Sequence, residues 1–160
     1  MKKIFGYLLF LFIATACEEI YTIPPQSQVQ INFYALDEES QTISSKSTLL
    51  SIKGLNNDSV WTAATSTSSF VLPLGNSGSD TLVMMMDSLQ DLLIINYSPI
   101  LQYESMDSGF YYEYIIHSVM HSNNKIDAIQ LSDSLVIDDA HENLQIIIND
   151  NTGYTPADTE

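Results

Sequence analysis

The fold class is decided by the stretch Val29-Gln30-Ile31-Asn32-Phe33-Tyr34-Ala35, in which apolar and polar side chains alternate. Successive side chains of a β-strand point to opposite faces, so this period of two predicts a strand with one buried face. A helix would instead repeat its apolar residues every three to four positions. The stretch therefore predicts a domain built from half-buried strands.

The same period continues along the chain. Further strands are predicted at residues 47–55, 60–62, 70–74, 80–86, 92–97, 100–106, 110–122, 126–131 and 144–148. Segment 111–120 is long enough for a helix, but its Tyr, Ile and Val content favours a strand. Strands spaced about ten residues apart, without amphipathic helices, predict an all-β domain. We expect an antiparallel β-sandwich of the Ig-like or Greek-key type, with a barrel as the alternative.

The first residues are typical of a secretory signal. Lys2 and Lys3 precede a short apolar run, and Ala14-Thr15-Ala16-Cys17 places small residues before the only cysteine. This arrangement resembles the lipobox of bacterial lipoproteins and predicts a signal peptide at 1–16 and a lipidated Cys17. A signal cleaved after Ala16 without lipidation is the alternative. We expect an extended tether over 17–28, a single β domain over 29–149, and a flexible acidic tail over 150–160.

The charge of the mature chain limits its partners. After residue 16 there are three lysines and twenty acidic residues, a net charge of −17 without His and termini. Phosphate binding needs clustered cations, so nucleic acid is not an expected partner. Electrostatic attachment to anionic lipid is not expected for the same reason. The lipid on Cys17 is therefore the expected membrane anchor.

Several short stretches, in order along the chain, together resemble a family of small Bacteroidota envelope lipoproteins of uncharacterised function. They are Ile31-Asn32-Phe33-Tyr34, Leu72-Pro73-Leu74, Asp80-Thr81-Leu82-Val83, Ser105-Met106-Asp107-Ser108-Gly109-Phe110, Ile126-Asp127-Ala128-Ile129 and Asn143-Leu144-Gln145-Ile146. Related chains often carry Asp-Cys-Gly where this chain has Asp107-Ser108-Gly109, which removes thiol chemistry at that turn. The resemblance implies a β domain in the cell envelope, most simply at the outer membrane. It brings no catalytic residues.

Histidines and clustered acids are the candidate metal ligands in this sequence. On a strand, His117 and His121 would share a face but lie about 13 Å apart, too far to share one ion. Clustered carboxylates favour Ca²⁺, and the weak candidates are Asp138, Asp139 and Glu142, which lack the EF-hand pattern. No nucleophile motif or phosphate-binding loop is evident in the sequence. We therefore expect a non-catalytic protein without a cofactor, with a hydrolase or Ca²⁺-dependent envelope enzyme as the alternative.

An aromatic strand is the expected recognition surface. Alternation places Phe110, Tyr112 and Tyr114 on one face and Tyr111 and Glu113 on the other. Exposed tyrosine is common at protein interfaces, so we expect an envelope protein partner to contact Tyr111, Tyr112 and Tyr114. The Asp-Ser/Thr-apolar motif used for O-glycosylation in Bacteroidota makes candidates of Ser59, Thr81, Ser88 and Ser134.

Overall fold

The computed structural model describes residues 24–37, 42–55, 60–137, 139 and 141–149. All regular elements in these ranges are strands: β1 (Gln28–Asp37), β2 (Thr42–Ser45), β3 (Thr48–Gly54), β4 (Val60–Thr67), β5 (Ser69–Pro73), β6 (Ser79–Met86), β7 (Leu89–Ser105), β8 (Gly109–His121), β9 (Ile126–Leu131), β10 (Leu135–Val136) and β11 (Leu144–Ile148). In this part of the chain, no helix is long and apolar enough to span a membrane.

The first sheet is organised around β1. This strand pairs in parallel with β11, so that Ile31 lies opposite Leu144, and β9 lies on the far side of β11. The other edge of β1 is shared by two antiparallel strands. Its first half pairs with β5 and its second half with β2. The first and last strands of the domain are therefore held together at the centre of one sheet.

The second sheet has the order β10-β8-β7-β6-β3-β4, and all of its pairs are antiparallel. Ser68 alone separates β4 from β5, and residues 46–47 separate β2 from β3. At both places the chain passes from one sheet to the other. Strands that switch sheets in this way form the corners of a packed sandwich.

The predicted all-β sandwich is confirmed, because the described strands form two sheets and not one closed barrel. One pair departs from the expected antiparallel arrangement, because β1 and β11 are parallel. Segment 111–120 is a strand, as its composition predicted. The sequence did not predict β2 or β10, since β2 exposes all four residues and β10 has only two.

The sequence predicted two strands, at 92–97 and at 100–106, with Pro99 between them. The structure does not divide the chain there. Both segments belong to the 17-residue strand β7. The pairing of β6 with β7 ends at Ser79 and Asn96, before the proline is reached. Pro99 lies opposite Tyr114 of β8, and on its other side β7 is an edge. A proline is tolerated there because its missing N–H would face no neighbouring strand.

The core lies between the two sheets. The inward residues predicted for β1, namely Val29, Ile31, Phe33 and Ala35, are at most 9% exposed. Phe33 stacks on Phe70 of β5 with ring centroids 5.6 Å apart. The second sheet contributes the opposing layer, in which the most deeply buried side chains include Leu50, Ile52, Met84, Met86, Leu93 and Ile95.

The described strands run from Gln28 to Ile148, close to the bounds predicted for the β domain. The predicted signal peptide at 1–16, Cys17 and the tail at 150–160 lie outside the described residues. Of the predicted tether, residues 24–28 are described. They are not separate from the domain, because they line a groove beside β8.

Candidate functional site

The hairpin of β7 and β8 extends beyond the rest of its sheet. Past Asn96, β8 is the one strand that pairs with β7 in the described part of the chain, and this pairing continues to Ser105 and Gly109. Gly109 has a φ of +80°, a left-handed conformation that glycine adopts without strain. Together with the turn at 106–108 it closes the hairpin. β10 still pairs with β8 at Tyr114 and Ile115, and beyond these residues the hairpin is a two-stranded arm that carries exposed side chains.

One face of this arm continues the apolar face of the core. Pairing sets Leu101 opposite Tyr112 and Tyr103 opposite Phe110, and directly opposite residues lie on the same face. We call these four residues the aromatic face. Leu101 and Tyr103 are each 56% exposed and Phe110 is 62% exposed, whereas Tyr112 packs partly against the core. The rings of Tyr103 and Phe110 are in contact, with centroids 5.2 Å apart.

Tyr114 anchors the arm in the core. It is 6% exposed, and its hydroxyl donates a hydrogen bond to the Leu74 carbonyl at 2.8 Å. Its ring meets the edge of Tyr97 at 88°, with centroids 5.6 Å apart. The sequence predicted Tyr114 as a partner contact, but the structure places it beneath the surface. Its role is to hold the aromatic strand against the loop after β5.

Tyr97 continues this buried layer. Its hydroxyl donates to the Asp80 carboxylate at 2.7 Å and accepts from the Gly75 N–H at 3.1 Å. Burial, supported by the Asp80 charge, raises the pKa of Tyr97 to about 12. The tyrosine is therefore neutral at physiological pH. Asp80 and Tyr97 fix the loop between β5 and β6, which forms one wall beside the arm.

A groove of about 250 Å³ lies where the arm meets the first sheet. The arm contributes Phe110, Tyr111 and Tyr112 to its walls. The opposite side is formed by Pro24 and Pro25, which precede β1, and by Pro73 at the end of β5. Ser27 also lines the groove and is 6% exposed, yet its hydroxyl has no hydrogen-bond partner among the described atoms. All three predicted tyrosines line this groove.

Tyr111 lies on the opposite face of β8 from Tyr112. Its hydroxyl donates to Glu113 at 3.3 Å, and Gln102 of β7 donates to the same carboxylate at 2.6 Å. This face of the arm therefore carries a negative charge at Glu113, while the other face is apolar. The alternation predicted for 110–114 is present, since no bulge interrupts these residues.

The family described as a family of unknown function (DUF6452) matches residues 49–148 of the chain. The chain belongs to this family. The DUF6452 match begins within β3 and ends with β11, so it includes the whole arm and leaves out β1 and β2. Neither a curated protein nor a solved structure matches the chain. Membership confirms an uncharacterised domain family and assigns no activity.

The two histidines of β8 do not share a face, contrary to the prediction from simple alternation. His117 is the extra residue of a β-bulge, because Ile116 pairs with Tyr97 and Ser118 with Asn96. A bulge adds one residue to one strand and so inverts the alternation beyond it. His117 is exposed and contacts the Ser98 hydroxyl at 2.7 Å, whereas the His121 ring contacts the Ser122 carbonyl oxygen.

The acidic loop before β11 separates into two local arrangements. Asp139 contacts the His141 ring and accepts the His141 N–H, and Asp138 lies outside the described residues. Glu142 instead accepts hydrogen bonds from Asn32, Tyr34 and Gln145 on the first sheet. Burial raises the pKa of Glu142, but these hydrogen bonds outweigh it and hold the pKa below its ordinary value. Among the described residues, no three His, Cys, Asp or Glu side chains are grouped as metal ligands.

The predicted glycosylation residues differ in accessibility. Ser88 and Ser134 are exposed, and Ser88 lies in the turn between β6 and β7. Thr81 lies inside β6, opposite Ile94, and is half-buried. Ser59 lies outside the described residues. The turn at 87–88 is shaped by Asp87, which has a φ of 55° and accepts the Leu49 N–H at 3.1 Å.

Sequence reasoning missed a buried carboxylate at the start of β7. Asp91 is 1% exposed and accepts hydrogen bonds from the Ser122 hydroxyl and from the N–H groups of Asn124, Lys125 and Ile126. The available signal was an acid at the start of an apolar run, together with a distant Asn-Asn turn. Lys125 is 3% exposed, and its Nζ lies 3.2 Å from Asp87. These contacts hold the connection between the two sheets.

Proposed function

We propose that this protein is a non-catalytic, lipid-anchored protein of the bacterial cell envelope that binds another envelope protein through its aromatic face. The proposal extends to attachment at the outer membrane of Bacteroidota, which the lipobox at Cys17 and the sequence resemblance support. The observation that carries the binding role is the arm itself. Leu101, Tyr103 and Phe110 present apolar surface on a supported hairpin, with a groove beside them.

The placement of these side chains suits recognition more than stability. A side chain that is more than half exposed contributes little to the folded core, whereas it buries new apolar area when a partner covers it. Large aromatic side chains are frequent among the residues that dominate binding energy. Tyr114 and Tyr97 lie below the surface and hold the arm in position before a partner arrives. Such preorganisation lowers the entropy cost of binding.

The test separates binding from folding with single substitutions. Envelope proteins are cross-linked in vivo and captured with wild type, Phe110→Ala, Tyr103→Ala or Tyr114→Ala. We expect Phe110→Ala and Tyr103→Ala to keep the melting temperature of the wild type and to capture less of the partner. Tyr114→Ala should lower stability by about 3–5 kcal/mol because its ring is buried. Met120→Ala is the matched control, because Met120 is 51% exposed on the same strand but outside the aromatic face. Normal capture by both Phe110→Ala and Tyr103→Ala would refute the proposal.

The anchor is tested separately. Cys17→Ser should release the protein from the membrane fraction, since the thiol that accepts the lipid is removed. Mass spectrometry of the mature N-terminal peptide should find an acylated cysteine in the wild type. A wild-type peptide with an unmodified Cys17, from protein recovered in the soluble fraction, would contradict lipidation. This result would leave the binding role of the aromatic face open to its own test.

A further inference from the structure

The arm has an open strand edge next to its aromatic face. The pairing of β6 with β7 ends at Ser79 and Asn96, and the loop residue Gly78 accepts one more hydrogen bond, from the Tyr97 N–H at 2.9 Å. Beyond Tyr97, the described chain has no strand on this side of β7. An open edge offers unpaired N–H and C=O groups to another strand.

The register shows which backbone groups face this edge. Backbone groups in a strand alternate in direction, so residues 99, 101 and 103 point the same way as Tyr97, away from β8. Pro99 has no N–H to offer. Leu101 and Tyr103 each retain an N–H and a C=O on the open side. Both are also more than half exposed on the aromatic face, so an added strand would gain backbone bonds and apolar contacts together.

Charge decides what kind of chain fits this edge. From residue 54 to residue 124 the chain contains neither lysine nor arginine. The arm itself carries Glu104, Asp107 and Glu113, with Glu113 already ordered by Gln102. A second copy of the mature chain would bring a net charge of −17 (three lysines against twenty acidic residues) against the same charge, which opposes self-association. A cationic segment is attracted by the same charges.

We propose that the partner inserts an extended segment containing lysine or arginine, which pairs as an added strand with β7 at Leu101 and Tyr103. This inference rests on the proposed partner-binding function and specifies how the partner is recognised. Apolar residues of the segment pack beside Leu101 and Tyr103 on the aromatic face. Cationic residues at the alternate positions face the acidic side of the arm, near Glu113. Main-chain pairing supplies affinity and the alternating side chains supply specificity, as in other cases of strand addition.

The test uses a synthetic peptide of about ten alternating lysine and valine residues, a length that spans the open edge. Two-dimensional NMR of the isotopically labelled protein follows the amide signals of Leu101 and Tyr103. We expect both signals to shift and both amides to become protected from solvent exchange. The same peptide with an N-methyl group on every residue has no N–H to donate to the ladder, so its dissociation constant should be at least about tenfold higher. A glutamate–valine peptide should not bind.

Variants of the protein provide the reciprocal test. Leu101→Pro removes one edge N–H at a position equivalent to Pro99, so the hairpin should fold and peptide affinity should fall. Leu131→Pro is not a fair comparison, because Leu131 pairs with Leu144. The matched control is Leu131→Ser beside Leu101→Ser, since both leucines are exposed strand residues. Only the change at position 101 should weaken binding.

The outcomes distinguish this inference from the function on which it rests. Equal binding of the N-methylated and unmodified peptides overturns strand addition, as does no binding at millimolar peptide. If Phe110→Ala still loses the envelope partner in that case, the aromatic face binds in another way and the proposed function stands. If neither Phe110→Ala nor Tyr103→Ala affects capture, the proposed function fails by itself.

Discussion

Replacing Asp91 by alanine should remove a large share of the stability of the domain. The carboxylate is 1% exposed, and it accepts the backbone N–H groups of Asn124, Lys125 and Ile126 at 2.8, 2.6 and 3.0 Å. Alanine leaves these three donors without their acceptor. A buried donor that loses its partner costs about 1–3 kcal/mol. Because water and small shifts recover part of this cost, we expect a total loss of about 3–5 kcal/mol. Domains of this size are stable by only about 5–15 kcal/mol.

Urea unfolding at neutral pH, followed by circular dichroism, measures this loss by linear extrapolation. Asp91→Asn keeps the shape of the side chain but turns an amide NH₂ group toward backbone N–H donors, so it should be clearly less stable than wild type. Asp127→Ala is the matched control, since Asp127 is exposed in β9, directly after the residues that Asp91 binds, and should change stability by less than about 0.5 kcal/mol. A loss below about 1 kcal/mol for Asp91→Ala would refute the reasoning. It would mean that the three donors find other partners.

Three further predictions concern titration and metal binding. Because the pKa of Tyr97 is raised from 10.0 to about 12, the folded state favours the neutral phenol, and stability should fall as pH rises from 10.0 toward about 12. Tyr97→Phe should make this fall less steep when unfolding is measured at a series of alkaline pH values. An unchanged slope would contradict the assignment to Tyr97. The pKa of Glu142 is lowered in the folded protein, so its stabilisation is present above its ordinary pKa of 4.5 and is lost as pH falls further. Glu142→Gln should therefore reduce stability at pH 7 and weaken the acid dependence, and urea midpoints at several pH values measure both effects. If Ca²⁺ binds at Asp138, Asp139 and Glu142, millimolar Ca²⁺ should raise the melting temperature beyond Mg²⁺ at equal ionic strength; equal shifts would show screening alone.

The sequence by itself determined the type of element and the inward face of most strands. Alternation in a strand depends only on local backbone geometry, so Val29, Ile31 and Phe33 could be assigned to the core before any fold was known. The same rule separated Tyr111 from Tyr112 correctly. The acidic composition likewise argues against a nucleic-acid partner without reference to structure, and this stays a prediction. These conclusions need no knowledge of which strands are neighbours.

Only the tertiary structure decided which of these residues are accessible. Phe110, Tyr112 and Tyr114 share one face of β8, yet their exposure falls along the strand. Phe110 is 62% exposed, whereas Tyr114 is 6% exposed because it packs against Tyr97 and bonds to the Leu74 carbonyl. Pro99 lies within a strand because β6 stops before it.

The positions of the two β8 histidines and of Asp91 show the same dependence. His117 and His121 face opposite ways because a bulge is needed to match two strands whose register is set across the sheet. The burial of Asp91 depends on a turn more than thirty residues away along the chain. Each of these outcomes depends on strand lengths and pairings between distant segments, which a local pattern does not contain.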